Sequence, residues 1–260
     1  MNTREAAVAG TFYPASAAQL GAQVDSLMAG NCASGMVPKA LIAPHAGYVY
    51  SGPVAGAVYN RVRGAVGIHR VVLVGPSHRV AFSGIALPES RVFRTPLGDV
   101  DLDIGAIERL LRLPGVSRRE DAHLLEHSLE VHLPFLQVAL GEFLLVPMVV
   151  GSTTPETVVT ALESVWGGSE TLVVISSDLS HYHPYAEAEA IDAATSREIT
   201  GLHGVLGPQQ ACGCTGINAL LRIAGRRGLA IEEVDRRNSG DTAGPRDQVV
   251  GYAAYALYED

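Results

Sequence analysis

Three histidines stand just beyond apolar runs. His45 follows "LIAP", His78 follows "LVGPS" and His181 follows "VISSDLS", each two to five residues past the end of its run. Taken singly, each reads as a hydrogen-bonded loop residue. Three at equivalent positions point instead to one shared imidazole cluster. Neutral imidazole is the commonest transition-metal ligand, and catalytic non-haem iron or copper sites take two or three protein ligands and leave positions open.

Other segments carry groups that such a cluster would use. "QQACGCTGINALL" holds Cys212 and Cys214 just ahead of a helical pattern. A helix N-terminus favours the thiolate that metals require. Small residues packing tightly at this turn explain the segment equally well, and the spacing Cys-x-Cys with no second pair gives a structural zinc site little support. In "EHSLEVHLPFL" the order His-x-x-Glu-x-His matches neither the zincin motif nor its inverse. Glu126, His127, Glu130 and His132 read as a solvated or capping pattern ahead of Pro134, or as carboxylates that orient metal-bound imidazoles. In "SSDLSHYHPY", Asp178 precedes His181 by three residues. It is placed either to hold that imidazole's tautomer and make it a general base, or to cap the following turn. His69 and His183 have no comparable context. Dinucleotide-binding, Walker and nucleophile-elbow motifs are absent from the chain, which removes nucleotide and serine-hydrolase chemistry.

The elements that position these groups alternate in type. Hydrophobic periodicity predicts strands at Lys39–Ala43, Arg70–Val74, Ser83–Leu87, Phe143–Val150, Thr171–Ser176, Leu229–Arg236 and Val249–Tyr258. Helices are expected at Gly52–Arg63, Asp103–Arg112, Leu129–Leu140, Pro155–Trp166, Tyr185–Leu202 and Thr215–Arg227. Strands alternating with crossover helices make a largely parallel or mixed sheet covered on both faces, and the unbroken apolar runs "VVLV", "LLVPMVV" and "LVVI" suit strands buried on both sides. In such a sheet, ligands bind beyond the carboxyl ends of the strands, where the three histidines fall.

Bulk properties narrow the remaining classes. With 47% hydrophobic and 18% charged residues the chain should fold throughout. No proline- or glycine-rich linker divides it, so a single domain is expected over residues 1–260. A net charge of −8 and the lack of a Lys/Arg cluster argue against nucleic acid. No run approaches the ~20 apolar residues that span a bilayer. The first residues lack a signal peptide's apolar core and the cysteines are odd in number, Cys32, Cys212 and Cys214, so a reducing, cytoplasmic location is expected.

Eight stretches in order, "AVAGTFYPA", "LIAPHAGYVYSGPVAGAVY", "VVLVGPSHR", "EHSLEVHLPFLQ", "VPMVVG", "VVISSDLSHY", "CGCTGI" and "SGDTAGPRDQVVGYAAYAL", resemble the Memo family, called AmmeMemoRadiSam system protein B in bacteria and archaea. They span nearly the whole chain. The resemblance implies the fold of class III extradiol ring-cleaving dioxygenases, a single α/β domain whose mixed, largely buried central sheet is flanked by helices. Those enzymes hold non-haem Fe(II) with two histidines and a glutamate, and Memo proteins place a cysteine where the glutamate would be. Carried over by position, the implied metal ligands are His45, His78 and Cys212, the ion is iron or copper, and His181 is the acid/base histidine. The segment after the cysteine departs from the family's usual Cys-Gly-x-x-Pro-Ile: Gly216 stands in place of proline and Cys214 adds a second thiol.

The resemblance implies a metal-dependent redox protein working beside a radical S-adenosylmethionine protein and an Amme-domain protein. Catechol ring cleavage is not expected, because a soft thiolate in place of a carboxylate shifts metal preference and redox behaviour. The alternative implied by eukaryotic relatives is a binding protein that takes a peptide or modified side chain, or a small molecule, in the same cleft without chemistry. Tyr48 and Tyr50 would line the mouth of that cleft.

Overall fold

The apolar runs form strands because their side chains can be buried on both faces. In the computed structural model, which describes residues 2–30 and 35–259, Ala40–Ala43 and Thr171–Ser176 are buried at every position. Cys32 lies outside the described residues. Among these residues the strands run, in chain order, β1 Thr3–Arg4, β2 Ala40–Ala43, β3 Arg70–Pro76, β4 Ile85–Leu87, β5 Val92–Thr95, β6 Gly98–Asp101, β7 Val116–Arg118, β8 Leu144–Val150, β9 Thr171–Ser176, β10 His181–His183, β11 Ala230–Asn238 and β12 Val249–Tyr258. The helices are α1 Ala17–Leu27, α2 Tyr48–Tyr59, α3 Ile104–Leu110, α4 Glu120–Leu124, α5 His127–Glu130, α6 Leu133–Leu140, α7 Pro155–Val165, α8 Tyr185–Thr200, α9 Cys214–Arg227 and α10 Ser239–Thr242.

The main sheet has nine strands in the order β10-β12-β2-β9-β3-β8-β4-β7, with β11 also paired to β12. The inner strands β2, β9, β3 and β8 are mutually parallel, so their carboxyl ends lie along one edge. β12 pairs antiparallel with β2, and β4 antiparallel with β8, which makes the sheet mixed. A separate small sheet, β1-β5-β6, joins the N-terminal strand to a hairpin closed by Pro96 and Leu97. Buried residues of both sheets and the helices form one hydrophobic cluster. Each Leu- or Ile-sized side chain in it contributes roughly 1.5–3 kcal/mol by leaving water. Among the described residues no helix is long and apolar enough to cross a membrane.

Several element boundaries differ from the sequence-based ones, each for a local reason. The helix expected from Gly52 begins at Tyr48, with Pro53 inside it. Proline favours a helix's first turn, which argues for the later start. The earlier start wins because the Tyr50 and Ser51 amides both bond to the Gly47 carbonyl and Tyr48 is buried against Phe135, ring centroids 4.8 Å apart. The helix expected over Leu129–Leu140 is broken into α5 and α6. The strand expected from Ser83 starts at Ile85, because Gly84 sits at φ +93° with no room for a Cβ: one would stand 2.1 Å from the Gly115 carbonyl oxygen. The β5–β6 hairpin and α1 carry no expectation in the sequence reading. Short, half-exposed elements give weak periodicity.

Candidate metal centre

His45 is delivered by β2, through Pro44, to the carboxyl edge of the sheet, where it is 2% exposed. Its backbone N–H donates to Asp178 Oδ1 at 2.7 Å. Its ring Nδ1 lies 2.6 Å from Ser176 Oγ, and that hydroxyl donates its own hydrogen to the Ser128 carbonyl at 2.6 Å. The hydroxyl therefore accepts from Nδ1–H, which leaves the lone pair on Nε2. Burial, with the neighbouring histidines adding to it, holds the imidazole well below its ordinary pKa, so it is neutral at neutral pH.

β3 delivers His78 in the same way. Glu126 takes both its groups: the His78 amide donates to Oε2 at 2.6 Å and Nδ1 donates to Oε1 at 2.9 Å. Burial pushes the Glu126 carboxyl up, but these two bonds and the Ser128 amide outweigh it and hold the group at about 2. It is a carboxylate, so Nδ1 keeps its hydrogen and Nε2 is the nitrogen left to face the cluster. Glu126 is also the N-cap of α5. The capping and imidazole-orienting readings of this segment thus meet in one side chain.

The first residue of α5 is His127, and its ring stacks on that of His78 with centroids 4.7 Å apart and stands edge-on to His45 at 5.6 Å. Phe12 covers it from the other direction at 4.9 Å. His127 Nδ1 is buried without a hydrogen-bond partner, the 3.4 Å approach of Glu126 Oε1 lacking hydrogen-bond geometry. Burial lowers its pKa to about 4. One ligand atom each from His45, His78 and His127 lies within 4.8 Å of the other two. His127 is the residue that strand-end spacing could not find, because it arrives on a helix; its motif was visible and its direction was not.

The thiol of Cys212, a ligand expected from the sequence, lies beside His45 but outside the group of three that meets within 4.8 Å. Its Sγ is 3.3 Å from His45 Nε2 and accepts the Asp178 N–H at 3.3 Å. The close approach depends on Gly213, whose N–H donates to Ser177 Oγ at 2.9 Å and where a Cβ would stand 2.4 Å from the Ser176 carbonyl oxygen. Burial, reinforced by Asp178, pushes the Cys212 thiol up to about 12. Cys214 begins α9, where its amide bonds to the Ala211 carbonyl. Cys212, rather than Cys214, is therefore the thiol placed beside His45.

Asp178 and His181 complete the sequence-based set, in a relationship other than the one expected. Among the described residues no hydrogen bond joins them. Asp178 instead accepts the His45 amide, and its second oxygen lies 3.9 Å from His45 Nε2. An aspartate at the end of β9 faces the neighbouring parallel strand β2, and this fixes the His45 loop. Burial raises its carboxyl to about 7. His181 is half-buried and bonds to the Leu179 backbone; burial, with His78 adding to it, lowers its pKa. Tyr182 beside it holds φ +61° and is 70% exposed. Tyr48 does not line the mouth: it is buried and its hydroxyl donates to the Val131 carbonyl at 2.6 Å. Tyr50, two residues further along α2, is exposed.

Behind the cluster, Glu130 anchors the N-terminal segment. Its carboxylate accepts from the amides of Ala7 at 2.8 Å and Val8 at 3.0 Å, from the Tyr13 hydroxyl at 2.5 Å and from the buried Arg4 guanidinium. These bonds hold "AVAGTFYP" against α5 and so seat Phe12 on His127. The donors suit a soft-to-borderline transition metal: neutral imidazoles with Nδ1 occupied by protein acceptors, one buried orphaned ring nitrogen, and a thiol that a cation would deprotonate.

A family model described as Memo-like protein matches residues 4–256. A MEMO1 family protein of Aquifex aeolicus is 38% identical, the match covering 97% of this chain and 98% of that one. A MEMO1 family protein of Methanothermobacter thermautotrophicus is 35% identical over 96% and 98% of the two chains. Among solved structures, an uncharacterized protein from Escherichia coli K12, JW3007, shares the fold with a TM-score of 0.58 and 13% identity, covering 85% of this chain and all of that one.

Proposed function

The chain belongs to the Memo family, and on that premise we propose that it is a metal-dependent redox protein whose iron or copper ion is held by His45, His78 and Cys212, with His127 as a further nitrogen donor. The observation that supports this reading is the grouping of one ligand atom each from His45, His78 and His127 within 4.8 Å. Nδ1 of His45 and of His78 is bound by Ser176 and Glu126, so the Nε2 atoms are the ones left to coordinate. An ion bound there supplies Lewis acidity and one-electron redox chemistry.

The protein's own groups do the rest. Asp178 holds the His45 loop, Glu126 orients His78, and His181 takes or gives a proton at its ring nitrogen for a bound molecule, a role that its lowered pKa supports. The test is metal content after anaerobic purification, with absorption spectra of the cobalt-substituted protein. His45→Ala and His78→Ala should lose at least tenfold in metal affinity. Cys212→Ala should abolish the thiolate-to-metal absorption while His127→Ala keeps it. Equal metal content in the wild type and both histidine variants would sink the proposal.

A further inference from the structure

A cavity of about 270 Å³ opens where β3, β8 and β9 end and α9 begins. This is the carboxyl edge at which open α/β sheets place their ligands. Its lining mixes apolar side chains, Val74, Ile175 and Phe82 among them, with the polar ones of Ser152, Thr215 and Cys212. Among the described residues its lining contains no Asp, Glu, Lys, Arg or His. Cys212 links this lining to the imidazole cluster, its Sγ lying 3.3 Å from His45 Nε2.

We propose that this cavity binds an uncharged small organic molecule, about one substituted ring in size, with an apolar flank against Phe82 and Ile175 and a hydrogen-bonding flank toward Ser152 and Thr215. The size follows from volume. An apolar cavity of about 150 Å³ holds benzene, and drug-sized ligands occupy roughly 300–1,000 Å³. The charge follows from the walls. A phosphate or an ammonium group would leave water with no charged side chain in the lining to replace its hydration. Phe82, which covers the space, is anchored at its backbone: its carbonyl oxygen packs where a Cβ on Gly151 would stand 2.3 Å away, and the Ser152 amide donates to that carbonyl at 2.8 Å. That the bound molecule is what the metal centre acts on rests on the function proposed above; the binding itself does not.

Metal-free protein titrated with benzamide, benzyl alcohol, benzylamine and phenyl phosphate, followed by ligand-observed NMR, tests the assignment. Benzamide and benzyl alcohol should bind at least tenfold more tightly than benzylamine and phenyl phosphate. Ala81→Trp, which fills the mouth from an exposed position, should weaken both neutral probes at least tenfold and leave metal affinity unchanged. Ser152→Leu, also exposed, reads the same way if the first variant folds poorly. Equal binding of phenyl phosphate, neutral-probe binding untouched by both variants, or no binding of either neutral probe would overturn it. Loss of metal binding in the wild type would count against the metal centre alone.

Discussion

Sγ of Cys212 lies 3.3 Å from Nε2 of His45, 167 residues earlier in the chain. Two loops make that contact, one leaving β2 and one entering α9, and β9 lies between them as their common support. Ser176 holds the His45 ring, Ser177 holds the Gly213 amide, and Asp178 offers its carboxylate to the His45 amide and its own amide to the thiol. Three consecutive residues at one strand end thus set the geometry of both donors.

Glu126 is expected to act on metal affinity through His78. Glu126→Gln keeps the shape but removes the charge that orients Nδ1–H. Isothermal titration with a divalent metal should show affinity weaker by roughly 10–100-fold, the usual cost of losing such a partner, and urea unfolding should show lower stability, because both carboxylate oxygens accept N–H bonds and the Gln NH2 cannot. Unaltered affinity would show that the carboxylate serves only as a helix cap.

Gly213 is expected to tolerate no side chain. A Cβ there would stand 2.4 Å from the Ser176 carbonyl oxygen and 2.7 Å from Ser177 Cβ. Gly213→Ala should cost about 1–3 kcal/mol in urea unfolding, as overpacking does, and should shift Cys212 away from His45. Slower metal-protected alkylation of the thiol in the wild type than in the variant would report that shift.

Glu130 should be among the most sensitive positions. Glu130→Gln leaves the Arg4 guanidinium buried opposite a neutral group, so stability should fall by about 3–5 kcal/mol. The double variant Arg4→Met, Glu130→Gln should recover part of the loss, because the uncompensated charge is gone. Additive losses in a double-mutant cycle would contradict the pairing.

Acid should destabilise the protein through its buried neutral histidines. Burial lowers the His123 pKa to about 4, below its value of ~6.5 in the unfolded chain. The unfolded state therefore takes up the proton first. His123's contribution is fully present above ~6.5 and is lost as pH falls from there to about 4, a change on the order of 3 kcal/mol. In urea unfolding measured across that window, His123→Gln should flatten the slope by close to one proton. The glutamine can still donate to the Ala86 carbonyl that now lies 3.0 Å from Nε2.

The inner strands were legible in the chain because burial on both faces requires unbroken apolar runs, and "LIA", "VVLV", "LLVPMVV" and "LVVI" satisfy that locally. The strand-end positions of His45, His78 and Asp178 were legible for the same reason. So was the α/β class, which follows from the alternation of runs with helical patterns. The β5–β6 hairpin and the early start of α2 were not legible, since packing on Phe135 and pairing with β1 are not local properties.

What the sequence by itself determined is therefore which groups reach the sheet's carboxyl edge. The tertiary structure decided which of them meet. His127 joins the cluster because α5 folds back over β3. Asp178 serves His45 rather than His181 because β2 and β9 are parallel neighbours. Cys212 takes precedence over Cys214 because only glycine at 213 lets that turn touch β9. Spacing along a chain fixes distances within one element, and contacts between elements depend on sheet order, which no short motif encodes.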